Sequence, residues 1–167
     1  MNYESSSPND TKRLGERIAK LLQPGDVILL QGDLGAGKTC LAQGIGKGLR
    51  VQETVKSSSF VLVNEYHGRL HVYHADLFRL GDPQEVFDLG LEENARDGLL
   101  LVEWPEVALG ELPTDHLLVR LDTTGTNARE ITVSAVGPRY EALLEKLEYI
   151  PPPGQPSKAS TSKGLSR

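Results

Sequence analysis

The residues with the clearest chemistry form the stretch GDLGAGKT at residues 32–39. Its glycines let the backbone curl so that successive N–H groups point at phosphate oxygens. Lys38 can neutralise the terminal phosphates of a nucleotide, and the Thr39 hydroxyl can bind Mg²⁺. The spacing fits G-x-x-x-x-G-K-[ST], the phosphate loop of nucleotide-binding proteins. We predict nucleotide contacts from Gly32, Leu34, Gly35, Ala36, Gly37, Lys38, Thr39 and Cys40.

A predicted strand and a predicted helix flank this loop. DVILLQ, residues 26–31, is a continuous apolar run typical of a strand buried on both faces. Residues 39–49 form the next helix, whose N-terminus adds its positive end to the phosphate site. This context supports nucleotide binding, but it does not distinguish a hydrolase, a kinase and a switch. A bound metal ion also requires a carboxylate from elsewhere in the chain.

Glu103 is the best candidate for that carboxylate. It ends the run GLLLVE, whose apolar residues predict a central buried strand. Ligands of α/β proteins sit at the carboxyl ends of such strands. The alternative is a solvated glutamate after an edge strand. Trp104 follows directly and either packs in the core or forms a wall of a nucleotide or partner site.

Other candidate residues have two readings on the sequence alone. Asp76 lies beyond the second strand of a predicted hairpin. It could orient an attacking water or contribute to the coordination shell of the metal, or it could simply cap a turn. A hydroxyl among residues 57–59 could sense the γ-phosphate, although the pattern alone favours a plain polar loop. Cys40 lies at a helix N-terminus, which lowers a thiol pKa, but a packing role is favoured. His71 and His74 are three apart in a strand and should face opposite sides, which disfavours a joint metal site.

The order of the predicted elements indicates the fold. A helix from Asp10 precedes the first strand, and the phosphate loop and its helix follow. Next come a hairpin at residues 59–74, short helices near residues 83–88 and 92–97, and the strand ending at Glu103. A second hairpin, with DTTG in its turn, and a helix from Pro138 to Leu147 complete the pattern. We predict an α/β, three-layer phosphate-loop fold with a mixed, mostly parallel sheet and antiparallel hairpins.

Composition bounds the domain organisation and the partners. We expect a flexible N-terminus at residues 1–9, one domain at residues 10–149, and a disordered Pro- and Ser-rich tail at residues 150–167. The net charge of −5 disfavours a dedicated nucleic-acid binder. Apolar runs typical of a secretory signal or a membrane span are missing from the sequence. We therefore expect a cytoplasmic protein that does not bind a membrane.

Several motifs together resemble the TsaE family, small phosphate-loop ATPases of bacterial tRNA threonylcarbamoyladenosine (t6A) synthesis. The resemblance covers about residues 11–147. It includes the phosphate loop, VKSSSFVLVNEY at residues 55–66, HADLFRL at residues 74–80 and VEWPE at residues 102–106. A phosphate loop alone is generic, but these motifs in this order are specific.

The resemblance implies an ATP site with assigned roles. Lys38, Asp76 and Glu103 would be catalytic, and Thr39 and Glu103 would bind Mg²⁺. Trp104 would lie near the nucleotide, Thr11 would approach the base, and Ser59 would act within a switch loop at residues 57–60. The family usually has S-P-T-F or S-P-T-Y where this chain has SSSF, so the proline and one methyl are lost while a hydroxyl remains. Phe78 stands where the family usually has tyrosine.

The resemblance also implies partners. Such ATPases would bind the TsaB–TsaD heterodimer and allow repeated rounds of modification, reaching tRNA only through that complex. We expect hydrolysis to be slow without partners. Two alternatives stay open: a nucleotide-dependent binding switch with negligible hydrolysis, and a small-molecule kinase. The kinase is poorly supported, because a phosphate-covering lid needs arginines and only Arg79 lies between Arg69 and Arg96.

Overall fold

In the part of the chain that the structure describes, a mixed sheet of seven strands forms the centre of the fold. The computed structural model describes residues 1–57 and 62–149. The strands are β1 Asn2–Ser5, β2 Val27–Gln31, β3 Val63–His67, β4 His71–Asp76, β5 Gly98–Glu103, β6 His116–Thr123 and β7 Arg129–Val136. Their order in the sheet is β1-β7-β6-β2-β5-β4-β3. This arrangement confirms the predicted α/β fold with its mixed sheet.

The four central strands β6, β2, β5 and β4 are parallel, and the outer strands are antiparallel. Strands β2 and β5 are almost wholly buried, which explains their continuous apolar sequences. In the register, Glu103 lies beside Leu30 of β2 and beside Asp76 of β4. The sheet therefore brings the phosphate loop and both candidate carboxylates to one edge.

Five α-helices accompany the sheet in the described residues: α1 Pro8–Ala19, α2 Lys38–Gly48, α3 Glu85–Asp88, α4 Leu91–Asn94 and α5 Pro138–Tyr149. Two 3-10 helices lie at Ala95–Asp97 and Pro105–Glu111. Across residues 1–57 and 62–149, no helix combines the length and apolar character that crossing a membrane requires. The predicted hairpin of β6 and β7 is confirmed, with DTTG at its turn.

Several predicted boundaries are wrong. Residues 1–9 are not a loose terminus, because β1 pairs with β7 and the terminal ammonium donates to the Val133 carbonyl at 2.9 Å. Helix α1 begins at Pro8, two residues before the predicted Asp10, because the Ser7 side chain caps it. The first short helix begins at Glu85 rather than at residue 83, whereas the second predicted segment, residues 92–97, is helical throughout, as α4 followed by a 3-10 helix. Residues 58–61, where the first hairpin was predicted to start, and the tail at residues 150–167 lie outside the described residues.

Glycines allow α1 and α2 to pack backbone to backbone. A Cβ at Gly15 would lie 2.6 Å from the Leu41 carbonyl oxygen, and one at Gly44 would overlap the carbonyl of Lys12. Close helix contact holds the start of α2, and with it the phosphate loop, against α1.

We expect Gly44→Ala to lower the free energy of unfolding by about 1–3 kcal/mol, because the added methyl group forces the two helix backbones apart. Urea denaturation measures this change. Gly110→Ala is the control, since a Cβ added there would have no atom of the described structure within 4 Å. Equal stability of the two variants would contradict the close packing.

Candidate nucleotide-binding site

The phosphate loop connects β2 to α2. Gly35 and Gly37 have φ values of 78° and 104°, in the left-handed region that glycine adopts without strain. Gly37 caps α2, so the helix begins at Lys38, with its free N–H groups at the loop. The Lys38 ammonium donates to the carbonyls of Gly32 and Asp33. The loop therefore combines left-handed glycines with a helix N-terminus, two features of phosphate-binding loops.

A cavity of about 740 Å³ opens in front of the loop, within the usual size range of small-molecule sites. Its lining comprises Leu34, Gly35, Ala36, Gly37, Lys38, Thr39, Cys40, Gln43, Ser57, Leu62, Asp76, Phe78, Arg79, Glu103 and Trp104. Most of the predicted site residues therefore meet at one place. Gly32 and Thr11 are not in the described lining, and Thr11 is buried with its hydroxyl 2.8 Å from that of Ser5. Ser59 lies outside the described residues.

The two carboxylates lie side by side at the carboxyl ends of β4 and β5. Glu103 is only 2% exposed, and its Oε2 lies 3.1 Å from His74 Nε2. Asp76 accepts a hydrogen bond from the Phe78 N–H through Oδ1, at 3.0 Å. Asp76 thus caps a turn and lines the cavity at once, so the two readings of this residue are compatible. Thr39 adds a hydroxyl, which makes the set of oxygen donors suitable for Mg²⁺.

Burial and mutual charge shift the pKa values of the site. Burial lowers the pKa of Lys38. The charges of nearby carboxylates oppose this shift, and Glu103 has the largest effect among them. Burial also raises the pKa of Asp76; the Phe78 N–H acts against the rise, and the charge of Glu103 adds to it. Lys38 and Asp76 are therefore partly desolvated, and the charge of Glu103 affects the pKa of both.

Two aromatic rings form a wall of the cavity. The Lys38 Nζ lies 4.1 Å from the centroid of the Trp104 ring, and the exposed Phe78 packs against Trp104 at 4.8 Å. Trp104 adopts a left-handed backbone with φ of 57°, which is uncommon for a bulky residue. Trp104 therefore lines the cavity and, partly buried, also packs against the hydrophobic core.

Cys40 has a packing contact in addition to lining the cavity. Its Sγ lies 3.2 Å from the Pro8 carbonyl oxygen of α1. Burial raises the pKa of the thiol, although Lys12 and Arg129 oppose this. The thiol therefore lacks the lowered pKa of a reactive cysteine, in agreement with the favoured packing role.

His74 is a site residue whose role the sequence reasoning missed. It is 0% exposed, whereas His71 is partly exposed, as predicted for residues three apart in a strand. Its Nε2 faces Glu103, and its Nδ1 lies 3.2 Å from the Tyr66 hydroxyl. That hydroxyl lies 3.5 Å from backbone atoms of Lys56. A buried polar chain therefore links the carboxylate of the site to the segment that precedes the predicted switch loop.

Arg129 is a second residue that the sequence reasoning missed. Its guanidinium donates to the carbonyls of Ala36 at 2.8 Å and Gly35 at 3.0 Å, and also to carbonyls of the β6–β7 turn. These bonds connect the phosphate loop to β7 across more than 90 residues of sequence. No motif around Arg129 indicated the contact, because it depends on the β6–β7 hairpin.

We expect Arg129→Ala to weaken nucleotide binding about tenfold, because the phosphate loop loses the charge-assisted hydrogen bonds that hold its carbonyls. Titration with a fluorescent ATP analogue measures the affinity. Arg120→Ala is the matched control, since the exposed Arg120 lies on β6 and pairs with Asp122, two residues further along the same strand. An equal loss of affinity in both variants would contradict a specific role for Arg129.

The fold and the site together define a phosphate-loop nucleotide-binding protein: a parallel strand, a glycine loop and a helix, with carboxylates at the ends of neighbouring strands. The chain belongs to the TsaE family, since the model of that family, described as threonylcarbamoyl adenosine biosynthesis protein TsaE, matches residues 5–131. The resemblance inferred from the motifs is therefore confirmed.

Individual relatives agree with this assignment. The chain is 40% identical over 149 residues to the tRNA threonylcarbamoyladenosine biosynthesis protein TsaE of Bacillus subtilis, covering 88% of this chain and 93% of that protein. It is 50% identical over 130 residues to the protein of the same name from Nostoc, covering 74% and 79%. The crystal structure of Bacillus YdiB superposes with a TM-score of 0.78 at 37% identity, covering 89% of this chain and 93% of that one.

Proposed function

We propose that the chain is a Mg²⁺-dependent ATPase that supports formation of N6-threonylcarbamoyladenosine at position 37 of tRNA by cycling a TsaB–TsaD complex. One observation carries this proposal. The cavity brings Lys38 and Thr39 of the phosphate loop to the same place as Asp76 and Glu103, two carboxylates on adjacent parallel strands. Membership of the TsaE family supplies the pathway.

Each residue has a distinct part in hydrolysis. Lys38 and the loop N–H groups hold the phosphates and stabilise the charge that develops on them. Thr39 and Glu103 would hold Mg²⁺, which neutralises phosphate charge when it is bound. Asp76 orients the attacking water for in-line displacement, and its raised pKa makes it a stronger proton acceptor than an ordinary aspartate.

The buried chain of Glu103, His74 and Tyr66 gives this site a route to the switch loop. In our proposal, residues 57–60 respond to the γ-phosphate, with Ser59 supplying the hydroxyl. Tyr66 and Lys56 connect the carboxylate of the site to the start of that segment. The nucleotide state would therefore change the surface that the TsaB–TsaD complex contacts.

The charge of the chain is consistent with indirect contact to tRNA. A net charge of −5 opposes binding to the phosphate backbone, so in this proposal the partners hold the tRNA. The chain itself supplies the nucleotide cycle and acts within the cytoplasm with these partners.

The test is to reconstitute t6A formation with the purified chain and the TsaB- and TsaD-type proteins of the same organism. ATP hydrolysis and rounds of modification are measured together, with Lys38→Ala as the reference. Hydrolysis no greater than in that variant would overturn the ATPase. A binding switch would give a different result. Partner binding would then depend on ATP, and a non-hydrolysable analogue would support it equally well without turnover.

A further inference from the structure

Three potential metal ligands meet on the β3–β4 hairpin, away from the nucleotide cavity. Glu65 and His67 are two residues apart in β3, so they share a face, and His71 of β4 pairs directly with His67 across the strands. One ligand atom from each residue lies within 4.8 Å of the other two. The described lining of the nucleotide cavity includes none of the three.

The distance between Glu65 and His71 matches that of two ligands on one ion. Oε2 of Glu65 lies 3.5 Å from Nε2 of His71. Two donors held at 2.0–2.2 Å by a tetrahedral zinc ion are about 3.3–3.5 Å apart. His71 Nε2 is shielded from solvent and has no hydrogen-bond partner in the described structure, so a metal ion would satisfy a buried polar atom that is otherwise unpaired. The ring of His71 is also held in place by stacking on Tyr73 at 4.4 Å.

The imidazole of His67 is oriented by the carboxylate of Glu53, on the side of the ring that bears Nδ1. Its Nδ1 lies 2.5 Å from Glu53 Oε1, and its backbone N–H donates to Glu53 Oε2 at 2.9 Å. Because Nδ1 is engaged, Nε2 is the nitrogen that remains for a metal. A carboxylate on the far nitrogen of a ligating histidine is a recurrent feature of metal sites and fixes the tautomer and the ring orientation.

We propose that Glu65, His67 and His71 form a site for a divalent transition-metal ion, with Zn²⁺ as the best match. Two imidazoles and one carboxylate leave a fourth tetrahedral position open, as in catalytic zinc sites. The imidazoles select against Mg²⁺ and Ca²⁺, which prefer oxygen ligands, so this site differs in chemistry from the one at Thr39 and Glu103. The inference stands independently of the proposed ATPase.

A bound ion would join the two strands of the hairpin next to its turn at residues 68–70. Strand β3 is at the edge of the sheet, where it has one neighbouring strand. The ion would therefore act as a cross-link that holds β3 on β4, the strand that ends at Asp76. Binding to the folded state alone raises stability by mass action, so zinc should raise the melting temperature.

The experiment is a titration of the full-length, chelator-treated protein with Zn²⁺ by calorimetry, and with Co²⁺ by visible absorption, without nucleotide. We expect one ion per chain and a tetrahedral Co²⁺ spectrum. His67→Ala and His71→Ala should each weaken Zn²⁺ binding at least about tenfold, and Glu53→Gln should weaken it by about the same factor. Zinc should raise the melting temperature of the unmodified chain but not that of the His67→Ala, His71→Ala double variant.

Two controls separate this site from others. His116→Ala removes a histidine at the start of β6, and Lys38→Ala disrupts the nucleotide site; both should bind Zn²⁺ as the unmodified chain does. Circular dichroism confirms that each variant is folded. The proposal is overturned if the unmodified chain does not bind zinc stoichiometrically, or if the folded double variant binds zinc as tightly as the unmodified chain.

Discussion

Replacing Glu103 by glutamine should reduce Mg²⁺-dependent ATP hydrolysis by roughly 10²–10³-fold without unfolding the protein. Glu103 ends the central strand β5 and lies within the cavity beside Asp76, so its charge is well placed for a metal ion. Glutamine keeps the size of the side chain and can still form a hydrogen bond with His74. The change therefore removes the charge and leaves the packing in place. Steady-state phosphate release at increasing Mg²⁺ measures the effect.

Glu106→Gln is the matched control for this prediction. Glu106 is exposed and lies three residues further along, and its charge, like that of Glu103, opposes the lowering of the Lys38 pKa by burial. It should retain nearly normal hydrolysis, because its side chain is not in the described lining of the cavity. Similar losses in the two variants would show that general electrostatics, rather than a specific ligand, explains the result. Full activity of Glu103→Gln would contradict the assigned role.

Lys38→Ala should eliminate measurable ATP hydrolysis and weaken ATP binding by about ten- to a hundredfold, since a charged hydrogen-bond donor is worth roughly 1.5–3 kcal/mol. Lys38 is the cation at the start of α2, buried among the loop carbonyls and the ring of Trp104. Trp104 is the only tryptophan of the chain, so its fluorescence is a direct reporter of nucleotide entry. Fluorescence titration and phosphate release together measure both effects.

Lys47→Ala is the control for Lys38→Ala on the same helix. Lys47 lies in the last turn of α2 and pairs with Glu16 at 2.9 Å, far along the helix from the phosphate loop. Its replacement should leave ATP affinity and hydrolysis unchanged within about twofold, because an exposed ion pair contributes little. Normal hydrolysis by Lys38→Ala, or an equal loss in Lys47→Ala, would exclude the proposed role of Lys38.

Local sequence patterns predicted much of the site because the structure of these segments depends mainly on residues adjacent in the sequence. The phosphate loop at residues 32–39 is one continuous motif between a strand and a helix, and its conformation follows from glycine. The apolar run before Glu103 predicted a central strand because only a strand covered on both faces can bury such a run. The family motifs then predicted ATP, Mg²⁺ and the roles of Asp76 and Trp104, which remain to be tested.

Polar segments were predicted poorly because their structure depends on distant partners. Strand β1 has the short polar sequence NYES, and it forms because β7, about 130 residues later, offers a free edge. The predicted approach of Thr11 to a base stays a prediction; in the structure its hydroxyl lies 2.8 Å from that of Ser5. Ser59, in the segment where the chain departs from its family, lies outside the described residues.

By itself the sequence determined the phosphate loop, the fold class and the family, because these follow from short motifs and from the periodicity of apolar residues. Only the tertiary structure decided how the remaining polar residues are used. The hydrogen bonds of Arg129 to the loop, the buried contact of His74 with Glu103, and the cluster of Glu65, His67 and His71 all depend on strand register. Register is set jointly by the apolar patterns of two paired strands and by the turn between them. Residues far apart in the sequence, such as Arg129 and the phosphate loop, meet only once the sheet has assembled, so no single stretch of sequence reveals these contacts.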